Sequence, residues 1–285
     1  MSVPRASSAT TSSLCLLAIV LLLPLASAAI YETCPGKTML KSGGLTCHDR
    51  QVILDSHNKM RQSVALGRVS GQPAATDMQE MVWDDELAAV AQNWADQCTL
   101  AHDGSRNVAR FKVGQNIAST WTTRTNLEPA ADFPRQVLAW FDEVRDYGFY
   151  STGFSHKTGH YSQLVWADTY LIGCGYSYYY DPAKGYTKMY VCNYGPGGNI
   201  IGLKPYTVGN PSCAVPSKRY QGLCAASGLP PLGASCAGGS GALTSSSTAG
   251  PWTAPAPSTT PHPFWQNFFA GGAQNASRYS WYFYG

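Results

Sequence analysis

This 285-residue chain is poor in charge: Asp, Glu, Lys and Arg make up only 13%, and the formal net charge is +3. No Lys/Arg cluster stands out. That argues against a nucleic-acid partner, because phosphate binding needs a concentrated basic face. No apolar run reaches the ~20 residues that a membrane-spanning helix requires. The longest, residues 14–23, follows Arg5 and precedes Ala26-Ser27-Ala28, so residues 1–28 read as a secretory signal peptide with a small-residue cleavage site. The expectation is therefore a secreted, extracellular chain with no membrane span. Cys-x-x-Cys is missing, which removes zinc-ribbon and thioredoxin-type chemistry. Also missing are H-E-x-x-H, G-x-S-x-G, a phosphate-cradling glycine loop and the tripeptide R-G-D.

What is present is a core and a set of cysteines. Hydrophobic residues reach 44%, ample for a packed interior. Of nine cysteines, Cys15 falls in the signal region, and eight remain, an even number in an exported chain. That favours disulfides over metal thiolates, although eight cysteines allow about 105 pairings. Two strand-like runs, L-I-G-C-G-Y-S-Y-Y-Y and K-M-Y-V-C-N-Y, flank a polar break at 181–185 and form a hairpin that sets Cys174 beside Cys192. Cys213–Cys224 and Cys47–Cys98 are the next pairings, leaving Cys34 with Cys236.

Periodicity places three helices. Ile53, His57, Met60 and Val64 recur at helical spacing, with Gly67 at the stop and His57 as a packing residue. Asp84 and Asp85 suit the start of a second helix with a stripe of Leu87, Val90, Ala91, Trp94 and Cys98. Pro134 opens a third, with Val137, Phe141 and Val144 on one face and Glu143 in its C-terminal half. Residues 111–120 read as a strand. The fold class is α+β, a three-layer α–β–α sandwich around a small antiparallel sheet. The domain runs from 47 to 205, after a disulfide-tied extension at 29–46. A cysteine-containing segment follows at 206–236; K-P-Y-T-V-G-N-P-S-C-A-V-P-S-K-R-Y-Q-G-L-C (204–224) resembles the short hinge that follows the domain in cysteine-rich secretory proteins. The tail, 237–285, is rich in Gly, Ser and Pro and carries a glycosylation sequon at Asn275 and an aromatic end.

G-H-Y-S-Q-L-V-W (159–166) and Y-V-C-N-Y-G-P-G-G-N (190–199) resemble the two signature blocks of the cysteine-rich secretory, antigen 5 and pathogenesis-related 1 superfamily. F-K-V-G-Q-N-I-A and W-A-D-Q-C are similar to its venom allergen 5 branch. The resemblance implies a cleft holding two His and two Glu. Here that gives His102, Glu143 and His160, with Gln115 at the position where many relatives have Glu. Two imidazoles and a carboxylate suit zinc or copper, though no cofactor is required. Losing one carboxylate removes a candidate general base. The implied function is a non-enzymatic extracellular binding protein of the venom or salivary allergen type. Its ligands would be small and hydrophobic, such as sterols, fatty acids or eicosanoids, with Trp121, Leu127, Phe133 and Leu138 as candidate groove residues. One alternative is a zinc- or copper-dependent hydrolase or redox protein using His102 and His160. Another is an interaction module acting on an extracellular protein receptor.

Overall fold

The computed structural model describes residues 1, 33–125, 128–151, 154–226, 236 and the backbone of 282–283. The signal region, Leu127, Asn275 and most of the tail lie outside the described residues.

The hairpin is the centre. β4 (Leu171–Asp181) and β5 (Gly185–Gly195) pair antiparallel along their whole length, with Cys174 opposite Cys192. β1 (Thr38–Ser42) adds to the free edge of β4, and β3 (Gly114–Thr122) adds to the free edge of β5. A two-residue β6 (Tyr282–Phe283) pairs with the outer side of β3. The order is β1-β4-β5-β3-β6, with β2 (Val82–Trp83) making a short parallel bridge to β4.

Strand alternation sorts the two faces. Tyr176, Tyr190, Cys192 and Tyr194 point into one core with α1 (Cys47–Ala65), α3 (Phe133–Phe141) and α4 (Gly159–Leu164). On the other face, Ile117, Met189 and Val191 meet Ala91 and Ala95 of α2 (Asp85–Ala95). Gly173 and Gly175 lie directly beneath α2: a Cβ on Gly173 would stand 2.1 Å from Ala88 N, and one on Gly175 2.4 Å from Gln92 N. The glycines of G-C-G therefore let helix backbone rest on strand backbone. Helices on both faces of a mainly antiparallel sheet give the expected three layers.

Local signals set the helix ends. Thr46 and Asp49 form a reciprocal capping box at the start of α1, and Gly67, at φ +64°, closes the turn after Leu66. Asp84 caps α2 through Leu87 N–H, and Asp132 caps α3 with Pro134 in its first turn. The buried stripe of α2 is Leu87, Ala91 and Ala95; Val90 and Trp94 are only half-buried, and Cys98 lies beyond the helix end. α3 stops at Phe141, so Glu143 stands on a separate 3-10 turn, Asp142–Asp146.

Four disulfides are formed: Cys34–Cys98, Cys47–Cys236, Cys174–Cys192 and Cys213–Cys224. The expected Cys47–Cys98 and Cys34–Cys236 pairings are wrong, for a geometric reason. Arg50, one turn into α1, binds Asp85 at 2.7 Å, which sets Cys47 near the start of α2. Cys98 lies past the other end of that helix, roughly 16 Å away at 1.5 Å per residue. The lead-in to β1 passes there instead, as Lys37 Nζ donating to Cys98 O at 2.6 Å shows. Residues 206–224 of the segment read as a hinge fold back on the main core: Tyr206, Tyr220 and Leu223 are buried in it, and Cys224 bridges to Gln79.

Candidate functional site

His160 stands in the first turn of α4. Glu143 approaches from the 3-10 turn after α3. Its Oε1 accepts the Nδ1–H of His160 at 2.6 Å, and its Oε2 accepts the backbone N–H of His160 and Tyr161 at 3.0 and 3.1 Å. One carboxylate thus holds both the ring and the N-terminus of the helix that presents it. Trp140 lies parallel to the imidazole, with centroids 6.1 Å apart.

The rest of α4 is equally well held. At its C-terminal end Arg61, fully buried on α1, donates to the carbonyls of Gln79, Leu164, Trp166, Ala167 and Thr169. Burial lowers its pKa to about 9. The second glycine-rich block clasps the same helix: Asn199 accepts from Ser162 Oγ at 2.6 Å and donates to Gly159 O at 2.8 Å. Gln163 Oε1 accepts the Gly198 N–H at 2.9 Å. The run 195–199 is thus a latch on the helix that carries His160.

His102 is held differently. It stands on the loop after α2, and its Nδ1 lies 3.0 Å from Gln115 Oε1 on β3. That oxygen also accepts the Asp103 N–H at 3.0 Å, while Gln115 Nε2 donates to Asn193 Oδ1 at 3.0 Å. The second bond fixes the amide orientation, so Nδ1 of His102 carries the proton and Nε2 the lone pair. Burial lowers the pKa of His102 below the usual histidine value. A carboxylate in place of Gln115 would face the Asn193 carbonyl oxygen. The glutamine is matched to Asn193, whose own amide donates to Leu87 O at 3.4 Å.

Beneath α4, the carbonyl oxygen of His160 and the Tyr194 hydroxyl share the Asn116 amide at 3.1 and 3.2 Å. His57 gives its Nδ1–H to Ile53 O at 2.8 Å and takes the Tyr194 O–H at Nε2 over 3.0 Å. Burial pushes the His57 pKa down to about 4, so it is neutral and structural. Arg61, Asn116, Asn193 and Asn199 were not singled out from the sequence. Arg61 lies on the buried stripe of α1, four residues after His57, and the asparagines interrupt apolar strand or turn runs. A polar residue on an apolar face was the available signal.

A second polar feature lies on α3. Phe133, Gln136 and Trp140 share one stripe of the helix, bounded by Tyr190 at 5.2 Å from Phe133 and by His160 against Trp140. Both amide ends of Gln136 and the indole N–H of Trp140 are buried with no hydrogen-bond partner among the described residues. Of the candidate groove residues, Leu127 lies outside the described residues. Phe133 is core, Leu138 packs at its margin, and Trp121 lies under Lys184 at 4.9 Å.

The metal expectation meets a specific obstacle. Glu143 spends both oxygens on His160 and Tyr161, and Gln115 is a neutral amide already bonded at both ends. Among the described residues no group of three or more His, Cys, Asp and Glu is placed to hold a metal ion. No described helix is long and apolar enough to cross a membrane.

These features have known counterparts. The family model for the cysteine-rich secretory protein (CAP) family matches residues 54–194. Venom allergen 5 of Vespa velutina is 45% identical over 172 residues, covering 58% of this chain and 83% of that protein. Venom allergen 3 of Solenopsis invicta is 42% identical over 201 residues, 63% of this chain and 84% of that protein. Venom allergen 5 of Tityus serrulatus is 42% identical over 194 residues, but the match spans only 46% of its length. The solved structure of BmVAL-1 superposes with a TM-score of 0.55 at 25% identity, covering 68% of this chain and 98% of that one. The chain belongs to the cysteine-rich secretory protein (CAP) family.

Proposed function

We propose that this protein is a secreted, venom allergen 5-like binding protein that takes up a small hydrophobic molecule and does no chemistry on it. The observation that carries this reading is the unmet polar pair on α3. A buried amide and indole without partners cost about 1–3 kcal/mol each. Such groups are kept where a water or ligand meets them. Gln136 offers both a donor and an acceptor, and Trp140 a donor. A hydroxyl fits that set, since it accepts and donates, whereas an ionised carboxylate leaves Gln136 Oε1 unmet. Hydroxyl-bearing apolar molecules of the sterol kind therefore suit the site better than fatty-acid anions. Catalysis is disfavoured because the carboxylate beside His160 is committed to three hydrogen bonds and Gln115 is no base. Secretion through a cleaved leader at 1–28 and glycosylation at Asn275 belong to the same reading.

Native mass spectrometry of the secreted, deglycosylated protein tests it. A bound lipid mass that leaves on denaturation and is absent from Gln136→Leu supports the carrier. A bare mass, or a lipid retained equally by Gln136→Leu, overturns it. A second reading, zinc or copper on the two imidazoles, is favoured by the Nδ1 engagement of both rings, which directs Nε2 to coordination. Its test is a metal mass lost from His102→Ala/His160→Ala. Lipid uptake survives that double substitution if the carrier reading holds.

A further inference from the structure

The turn that follows the second glycine-rich block ends in an apolar tip. Residues 194–203 read Y-G-P-G-G-N-I-I-G-L and carry no charge. The Leu203 N–H closes a turn on Ile200 O at 3.0 Å, and Gly202 adopts φ +85°. A Cβ on Gly202 would meet no atom within 4 Å, so the turn projects rather than packs. Ile200, Ile201 and Leu203 are 51%, 86% and 57% exposed. Turn tips ordinarily carry Gly, Pro, Asn, Asp and Ser. Two branched residues and a leucine on one tip are not the scattered apolar exposure that any surface shows.

The tip continues into a second segment. Phe154 and Asn199 both flank Gly159, coming within 3.4 and 3.8 Å of a Cβ placed there. Lys204 donates to Phe149 O and lies 5.6 Å over the Phe149 ring. The chain after the tip is therefore tied to Phe149, and the chain before it shares Gly159 with Phe154; Tyr150 is 75% and Phe154 37% exposed. Of the charges nearby, Lys157 pairs with Asp146 at 3.0 Å and Arg145 with Asp142 at 3.2 Å, which leaves Lys204, held on the Phe149 carbonyl, as the one cation beside the tip among these.

We propose that this tip is a membrane-surface contact, inserting Ile200, Ile201 and Leu203 into the interfacial region of a zwitterionic phospholipid bilayer with Tyr150 at headgroup level. The convex form favours this occupant. A projecting apolar turn offers a folded partner little enclosure, whereas a fluid bilayer closes around it. An uncharged tip enters without burying a charge, and Tyr is the side chain that sits with its ring in the interface and its hydroxyl in water. With two ion pairs and a single further cation, Lys204, at the base, attraction to anionic headgroups is a minor part of the contact. This surface is independent of whether the α3 site carries a ligand.

The test is co-sedimentation of the full chain with pure phosphatidylcholine vesicles. The wild-type protein binds, and Ile201→Asp weakens binding roughly tenfold or more, from the loss of one buried aliphatic side chain and the cost of a charge. Because Ile201 is 86% exposed, the thermal unfolding of the variant stays unchanged. Binding persists between roughly 0.05 and 0.5 M salt, where a screened electrostatic contact would be lost. Ile201→Trp retains binding, and quenching of its emission by brominated phosphatidylcholine places it in the lipid. The proposal is overturned if the wild type stays in the supernatant, if it binds only anionic vesicles, or if Ile201→Asp binds equally. Concentration-dependent dimers that Ile201→Asp dissolves would also overturn it, by assigning the tip to self-association.

Discussion

The two imidazoles, His102 and His160, sit on opposite kinds of support. His160 stands on a short helix whose N-terminus is held by a carboxylate, whose C-terminal end is wrapped around a buried guanidinium and whose flank is clasped by Asn199. His102 stands on a loop and takes its side-chain orientation from the single amide of Gln115. The difference teaches that one half of the site is part of the fold's framework. The other is an appendage whose properties follow from one neighbour. Substitutions around His160 should therefore change stability, and substitutions around His102 should change titration.

The largest effect is expected at Arg61. Arg61→Met removes the guanidinium from five carbonyls, of which Trp166 O and Ala167 O keep a backbone donor, and urea denaturation should show a loss of about 3–5 kcal/mol. Replacing Arg106, which donates to Asp103 O and Val113 O around His102, should cost only about 1 kcal/mol. Equal losses would erase the contrast.

Acid should act mainly through the framework. The folded pKa of His57, about 4, lies below the unfolded value of 6.5, so the unfolded chain takes the proton first. The contribution is complete above pH 6.5 and is lost as pH falls towards 4, amounting to about 3 kcal/mol. The lowered pKa of His102 acts with the same sign just below pH 6.5. Stability measured across that window should flatten in His57→Gln far more than in His102→Gln.

Glu143→Gln removes the charge from three hydrogen bonds and should cost about 2 kcal/mol by the same denaturation. The smallest loss, about 1 kcal/mol, is expected of Gln115→Glu, which sets a carboxylate against Asn193 Oδ1. Its clearer signature is electrostatic: the new charge should raise the pKa of His102 above 6.5.

Much of the framework was legible because it is local. Cap residues, the stripe Ile53–His57–Met60–Val64 and the alternating hairpin lie within a few residues of their partners, so spacing announces them. His160 was legible in the first motif block, and His102 and Glu143 only through the family resemblance carried over to positions outside the two blocks. What spacing could not reveal is long-range. Gln115 and Asn193 meet across 78 residues, and Arg61 reaches Thr169 across 108. Cys47 pairs with Cys236 across 189, and no periodicity selects that partner. The return of residues 206–224 was hidden because that stretch reads as a hinge, from its resemblance to the one in cysteine-rich secretory proteins, and carries few apolar residues. Its few apolar residues, Tyr206, Tyr220 and Leu223, are nevertheless enough to bury it in the main core.

The central claim, that both imidazoles are set by Nδ1–H bonds to Gln115 and Glu143 and serve as supports, is tested most directly by nitrogen-detected NMR of the histidine rings across pH. The account predicts the Nδ1–H tautomer at His102, with a pKa below 6.5, and a His160 Nδ1 proton shifted far downfield by the carboxylate. A Nε2–H tautomer at His102, or a pKa above 6.5 there, would contradict it.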